Sequence, residues 1–155
     1  MTSPESALPV EHGKAWRGWL RAHALLVRTL DADLRAEHGM TLLTYDALVQ
    51  LSEAPRRQLY MKDLADALVY SASGVTRIVD GLERAGYARR APDPHNRRAT
   101  RVILTPAGLT ALEAAWSTHV RGVTKHFAAH TSGTQARILA GVFRAIVTEI
   151  TPPGR

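Results

Sequence analysis

Between Met61 and Phe127 the spacing of apolar residues switches from helical to alternating and back, and that switch leaves few folds open. Met61, Leu64, Ala65 and Leu68 fall on one side of a two-turn helix. After Val69-Tyr70, the set Val75, Ile78, Val79 and Leu82 recurs at i, i+3, i+4 and i+7, which defines a single buried stripe on a second helix over about 71–86. Gly86 closes that helix. Tyr87 to Ala91 then reads as a short strand, Pro92-Asp93-Pro94-His95-Asn96 as a run of turn formers, and Arg101 to Leu104 as the returning strand, with Val102 and Leu104 alternating against Arg101 and Ile103. Thr105-Pro106 opens the next helix: a hydroxyl N-cap followed by proline where its missing N–H costs nothing. The order predicts a mainly α fold with a small β-hairpin wing, a winged helix-turn-helix lobe spanning residues 44–105.

Flanking segments supply further helices. Residues 1–11 hold two prolines and little hydrophobicity, and read as a loose arm. From His12 to His38, Trp16, Leu20, Val27, Leu30 and Leu34 recur at helical spacing between arginines, and Gly39 ends the run. A further helix is expected from Thr44 as N-cap, burying Leu48 and Leu51 until Pro55 and Arg56-Arg57 break it. Beyond the hairpin, Leu109, Leu112, Trp116, Val120, Val123 and Phe127 form a seam suited to another helix. Ser132-x-x-Gln135 is a capping box opening a last helix, with Ile138, Leu139, Val142, Ile146, Val147 and Ile150 inward until Pro152-Pro153. Residues 12–38 and 106–151 are thus expected to form helical regions flanking the lobe.

Charge says what the lobe meets. The chain carries 20 Lys and Arg against 14 Asp and Glu, a net +6. Five of the arginines, Arg89, Arg90, Arg97, Arg98 and Arg101, crowd into the predicted wing at about 89–101. At about 100° per residue, Ser73, Thr76, Arg77, Asp80 and Arg84 lie opposite the apolar stripe of the second helix. Such a face fits a major groove: Arg77 can pair twice with guanine, Ser71, Ser73 and Thr76 can reach phosphates or base edges, and Gly74 leaves room for close approach. The hairpin brings Arg97 and Arg98 towards the adjacent minor groove. Arg77 is equally placed to pair with Asp80 or Glu83 along its own helix. A winged helix that meets a protein instead of DNA is the alternative, and the arginine cluster weighs against it.

Other classes are excluded or unsupported. With no cysteine there are no disulfides or thiolate sites, and a cytoplasmic setting is expected. No apolar run approaches the ~20 residues of a membrane span. The sequence holds no P-loop, dinucleotide fingerprint, nucleophile elbow or HExxH, so no enzyme and no cofactor are expected. His126 and His130 stand four apart but lack a third ligand, and no metal is expected.

Two stretches carry a resemblance. Ser71-Ala72-Ser73-Gly74-Val75-Thr76-Arg77-Ile78-Val79-Asp80-Gly81-Leu82-Glu83, and Asp93-Pro94-His95-Asn96-Arg97-Arg98-Ala99 leading to Val102-Ile103-Leu104-Thr105-Pro106-Ala107-Gly108, resemble the multiple-antibiotic-resistance regulator (MarR) family. The resemblance implies a transcriptional regulator, a repressor responsive to a ligand. It also implies an obligate homodimer with intertwined terminal helices, bound to pseudo-palindromic double-stranded DNA. Arg77 would be the recognition-helix contact and Arg98 the wing-tip minor-groove arginine. It implies a small aromatic or phenolic effector held between the dimer helices and the lobe, for which Trp16 and Trp19 are candidate walls. Where the family usually has aspartate this chain has Asn96, which offers the wing arginine a neutral hydrogen bond instead of a charged one.

Overall fold

The computed structural model describes residues 7–96 and 98–151. Their elements run α1 (Val10–His38), α2 (Leu42–Glu53), β1 (Gln58–Tyr60), α3 (Met61–Leu68), α4 (Ala72–Arg84), β2 (Ala88–Pro92), β3 (Thr100–Leu104), α5 (Pro106–His126) and α6 (Gly133–Ile150). No helix among the described residues is long and apolar enough to cross a membrane.

The lobe forms where the apolar period demanded it. Val75, Val79 and Leu82 of α4 are buried with Leu64 and Ala65 of α3, Leu48 and Leu51 of α2, and Val102 and Leu104 of β3. Burial of large aliphatic side chains contributes roughly 1.5–3 kcal/mol each, so this one cluster sets the angle between the two short helices and the sheet. α3 ends at Val69, a left-handed residue (φ 57°), and α4 begins with Ser71, whose hydroxyl accepts the Gly74 N–H at 3.1 Å.

Three details differ from the sequence expectation. α2 starts earlier, with Thr41 and not Thr44 as its N-cap; the Thr41 hydroxyl accepts the Thr44 N–H at 2.9 Å, which brings Leu42 and Leu43 into the first turn. The hairpin is two strands of a three-stranded antiparallel sheet ordered β1-β3-β2, with Leu59 opposite Val102 and Arg90 opposite Val102 on the other side. And α6, expected to turn its apolar side inward, has no buried residue: Ile138, Val142, Ile146, Val147 and Ile150 are all exposed in the single chain. On α5 the buried stripe is Gly108, Leu112, Ala115, Thr118 and Gly122, so Trp116 and Val120 of the predicted seam face outwards.

The exit from the wing is tightly built. Thr105 caps α5 through the Gly108 N–H at 3.0 Å, donates its hydroxyl to the Gly86 carbonyl at 2.6 Å, and gives its own N–H to the Tyr87 carbonyl. Gly108 packs so closely on that carbonyl that a Cβ there would overlap it. The Ser132–Gln135 capping box forms as read. Residues 1–6 of the expected N-terminal arm and Pro152-Pro153 lie outside the described residues.

Candidate nucleic-acid interface

The predicted contact side chains at the start of α4 stand on its outer face. Ser71, Ser73, Thr76 and Arg77 are exposed, and Gly74 is half-buried beneath the Tyr70 ring. Thr76 donates its hydroxyl to the Ala72 carbonyl at 2.9 Å, which leaves its methyl and lone pairs outward. Arg77 makes no ion pair among the described residues. Its two candidate partners, Asp80 and Glu83, are taken by Arg90 of β2: Nη2 sits 2.7 Å from Asp80 Oδ1 and 3.2 Å from the Thr76 carbonyl, and Glu83 accepts from both the Arg90 backbone, at 2.6 Å, and its guanidinium. Sequence reasoning placed Arg90 in a cationic patch, whereas its charge is spent holding α4 to the wing. Desolvation presses its pKa down, but the hydrogen bonds from Asp80 and Glu83 outweigh it, and the guanidinium is held above its ordinary value.

The wing turn is organised by Asp93, which the sequence reading passed over. Its carboxylate is buried, 7% exposed, and accepts the His95 and Asn96 N–H groups at 2.8 and 3.0 Å and the Tyr60 hydroxyl at 2.7 Å. Arg101 Nε stands 3.6 Å away. The Tyr60 hydrogen bond, followed by that from His95, holds the Asp93 carboxyl below its ordinary pKa, and the same bond raises that of Tyr60. An aspartate opening a turn, with its side chain accepting from the residues two and three ahead, is an Asx turn and was the available signal. Among the described residues, Asn96 makes no hydrogen bond to a wing guanidinium. Its side-chain oxygen accepts the backbone N–H of Arg98 at 3.1 Å, fixing main chain and leaving the Arg98 side chain exposed. Arg97 lies outside the described residues.

The Trp16 and Trp19 rings meet at a tilt, 5.3 Å between centroids, and Trp19 stacks on His23 at 5.8 Å. His23 in turn lines a cavity of about 610 Å³ between α1, α2 and the end of α3, whose lining includes neither tryptophan.

An exposed polar helix following a short helix and turn, locked to a hairpin with an arginine at its tip, defines a winged helix-turn-helix protein. The comparisons with known proteins specify which. The MarR family profile matches residues 38–99. Over 94% of this chain and 91% of the other, the structure superposes on that of Sco3205 from Streptomyces coelicolor, a MarR family transcriptional regulator in complex with DNA, with a TM-score of 0.90 and 31% identity. AbsC of the same organism, also a MarR family regulator, gives a TM-score of 0.86 at 29% identity, covering 92% of this chain and 96% of that one. The HTH-type transcriptional regulator PrsX of Escherichia coli is 31% identical over 72 residues, 46% of this chain; that stretch spans under half of PrsX, 43%. The chain belongs to the MarR family of transcriptional regulators.

Proposed function

We propose that this regulator binds double-stranded DNA as a homodimer, seating α4 of each protomer in successive major grooves of a pseudo-palindromic operator. The observation that carries the reading is the outer face of α4, where Arg77 stands uncompensated among Ser71, Ser73 and Thr76 because Arg90 has engaged both neighbouring carboxylates. Arg77 reads base edges, while Arg98, with Arg97 beside it in sequence, enters the flanking minor groove. The DNA complex of Sco3205 supports the same use of the fold.

Residues 12–38 and 106–151 serve as the dimerisation region around a 44–105 lobe. Trp116 and Val120 of α5 and Ile138, Val142, Ile146, Val147 and Ile150 of α6 are exposed in the single chain, and pairing with a second copy covers them. Two recognition helices then stand about one DNA turn, ~34 Å, apart. A small effector in the α1–α2–α3 cavity, which His23 lines, alters that separation and releases the operator.

The test is selection of duplexes from a random library by the purified protein, followed by sequencing. A two-fold symmetric motif with half-sites about one turn apart is expected. Capture of DNA without any enriched motif, or none at all, would reject the reading and favour a protein-binding winged helix.

A further inference from the structure

The α1–α2–α3 cavity has a chemically uneven wall. Ala24, Val27, Leu42, Leu43 and Leu68 give it an apolar surface, and about 610 Å³ is ample for a fused aromatic ring. Its two carboxylates are in different states. Asp31 is engaged on both oxygens, accepting the Leu42 N–H at 2.8 Å and Arg35 Nε at 2.6 Å, so its charge is balanced. Asp46 is half-buried and makes no hydrogen bond or ion pair among the described residues. The titratable group that pulls on it is His119 of α5, which burial holds towards its neutral form. Desolvation accordingly raises the Asp46 pKa.

Arg28 and His23 also line the cavity, but both are exposed, and water screens a solvated cation far more than a half-buried anion. A half-buried carboxylate without a hydrogen-bond partner is partly desolvated, and a donor brought to it recovers part of that cost. We propose that Asp46 makes this cavity a site for a compact aromatic or apolar molecule bearing a protonated amine or amidine, and not for an aromatic acid. The ammonium donates to Asp46, while the ring lies against the leucines and Val27. Gln50, one turn along α2 from Asp46, supplies a neutral second acceptor on the same wall.

The proposal rests on the reading of this cavity as the effector site, and the experiment separates the two. Calorimetric titration at neutral pH uses 2-naphthylmethylamine and 2-naphthoate, matched in ring and opposite in charge, against the wild-type chain and Asp46→Asn. The amine is expected to bind the wild type at least about tenfold more tightly than the acid, and to lose about ten- to a hundredfold in affinity in Asp46→Asn. Tighter binding of the acid, amine binding unchanged by Asp46→Asn, or no binding of the amine to the wild type would each overturn the proposal; the wild-type comparison decides it even if the variant does not fold. Titration of the selected duplex in the presence of amine forms the separate arm. Asp46-dependent amine binding that leaves DNA affinity unchanged upholds the cavity's chemistry and rejects its role as effector site.

Discussion

Arg90 and Asp80 are joined across the lobe at 2.7 Å, and with Glu83 as a third member they fix the recognition helix to the first strand of the wing. The two parts proposed to meet DNA are thereby tied to each other by side-chain contacts. Because the Arg90 side chain is only 26% exposed and engages two carboxylates and a carbonyl, it is worth more than an isolated surface pair, of the order of 1 kcal/mol. Arg90→Ala is expected to lower stability by about that amount and to weaken operator binding about tenfold. Arg90→Lys should fall between, since an ammonium lacks the fork that spans Asp80 and Glu83. Thermal unfolding and anisotropy titration read the two effects; an Arg90→Ala variant with unchanged DNA affinity would show that α4 and the wing are held together by packing alone.

Gly108 and Gly122 both lie on the buried face of α5, yet their tolerance should differ. A Cβ at Gly108 meets the Tyr87 backbone carbonyl, which cannot move without undoing the Thr105 hydrogen bonds; at Gly122 the obstacle is the end of the Leu30 side chain at 2.5 Å. Gly108→Ala is expected to cost about 3 kcal/mol or more and Gly122→Ala about 1 kcal/mol. Denaturant unfolding of the two variants checks the order, which equal costs would contradict.

Val69 holds φ at 57° and is 89% exposed, so a β-branched residue bears left-handed strain with almost no packing in return. Val69→Asn should stabilise the chain by about 1 kcal/mol, because asparagine tolerates that region. A lower unfolding midpoint would mean that the valine makes contacts the fold needs.

His119 stacks on Tyr45 at 4.4 Å, and its buried Nδ1 has no hydrogen-bond partner among the described residues. Burial lowers its pKa from the ordinary 6.5, against a smaller opposing pull from Asp46. The folded state therefore binds fewer protons than the unfolded one between the depressed value and 6.5. In that window stability rises with pH, so this contribution is complete above 6.5 and is lost as pH falls below it. His119→Phe, which keeps a ring against Tyr45, should flatten that part of the acid limb in unfolding measurements taken from pH 7 downward; an unaltered pH profile would place the acid sensitivity elsewhere.

The lobe was legible because its signals are local. Val75, Val79 and Leu82 recur on one helix, and Thr105-Pro106 and Ser132-x-x-Gln135 announce helix starts within four residues. What escaped depends on distant partners. β1 offers a single aliphatic position, Leu59, and becomes a strand only by pairing with Val102, more than forty positions on. Arg90 and Arg101 looked like members of one cationic patch until the fold set Asp80 and Glu83 beside the first and Asp93 beside the second. For α6 the period of Ile138, Val142 and Ile146 named the apolar face correctly; periodicity carries no information on whether that face meets its own chain.

Binding of the selected duplex and a scrambled one, followed by fluorescence anisotropy across a salt series for the wild type, Arg77→Ala and Arg98→Ala, tests the central claim most directly. Arg77→Ala should bind both duplexes alike, and Arg98→Ala should bind more weakly with a salt slope shallower by about one counterion. Wild-type discrimination and slope retained in both variants would contradict it.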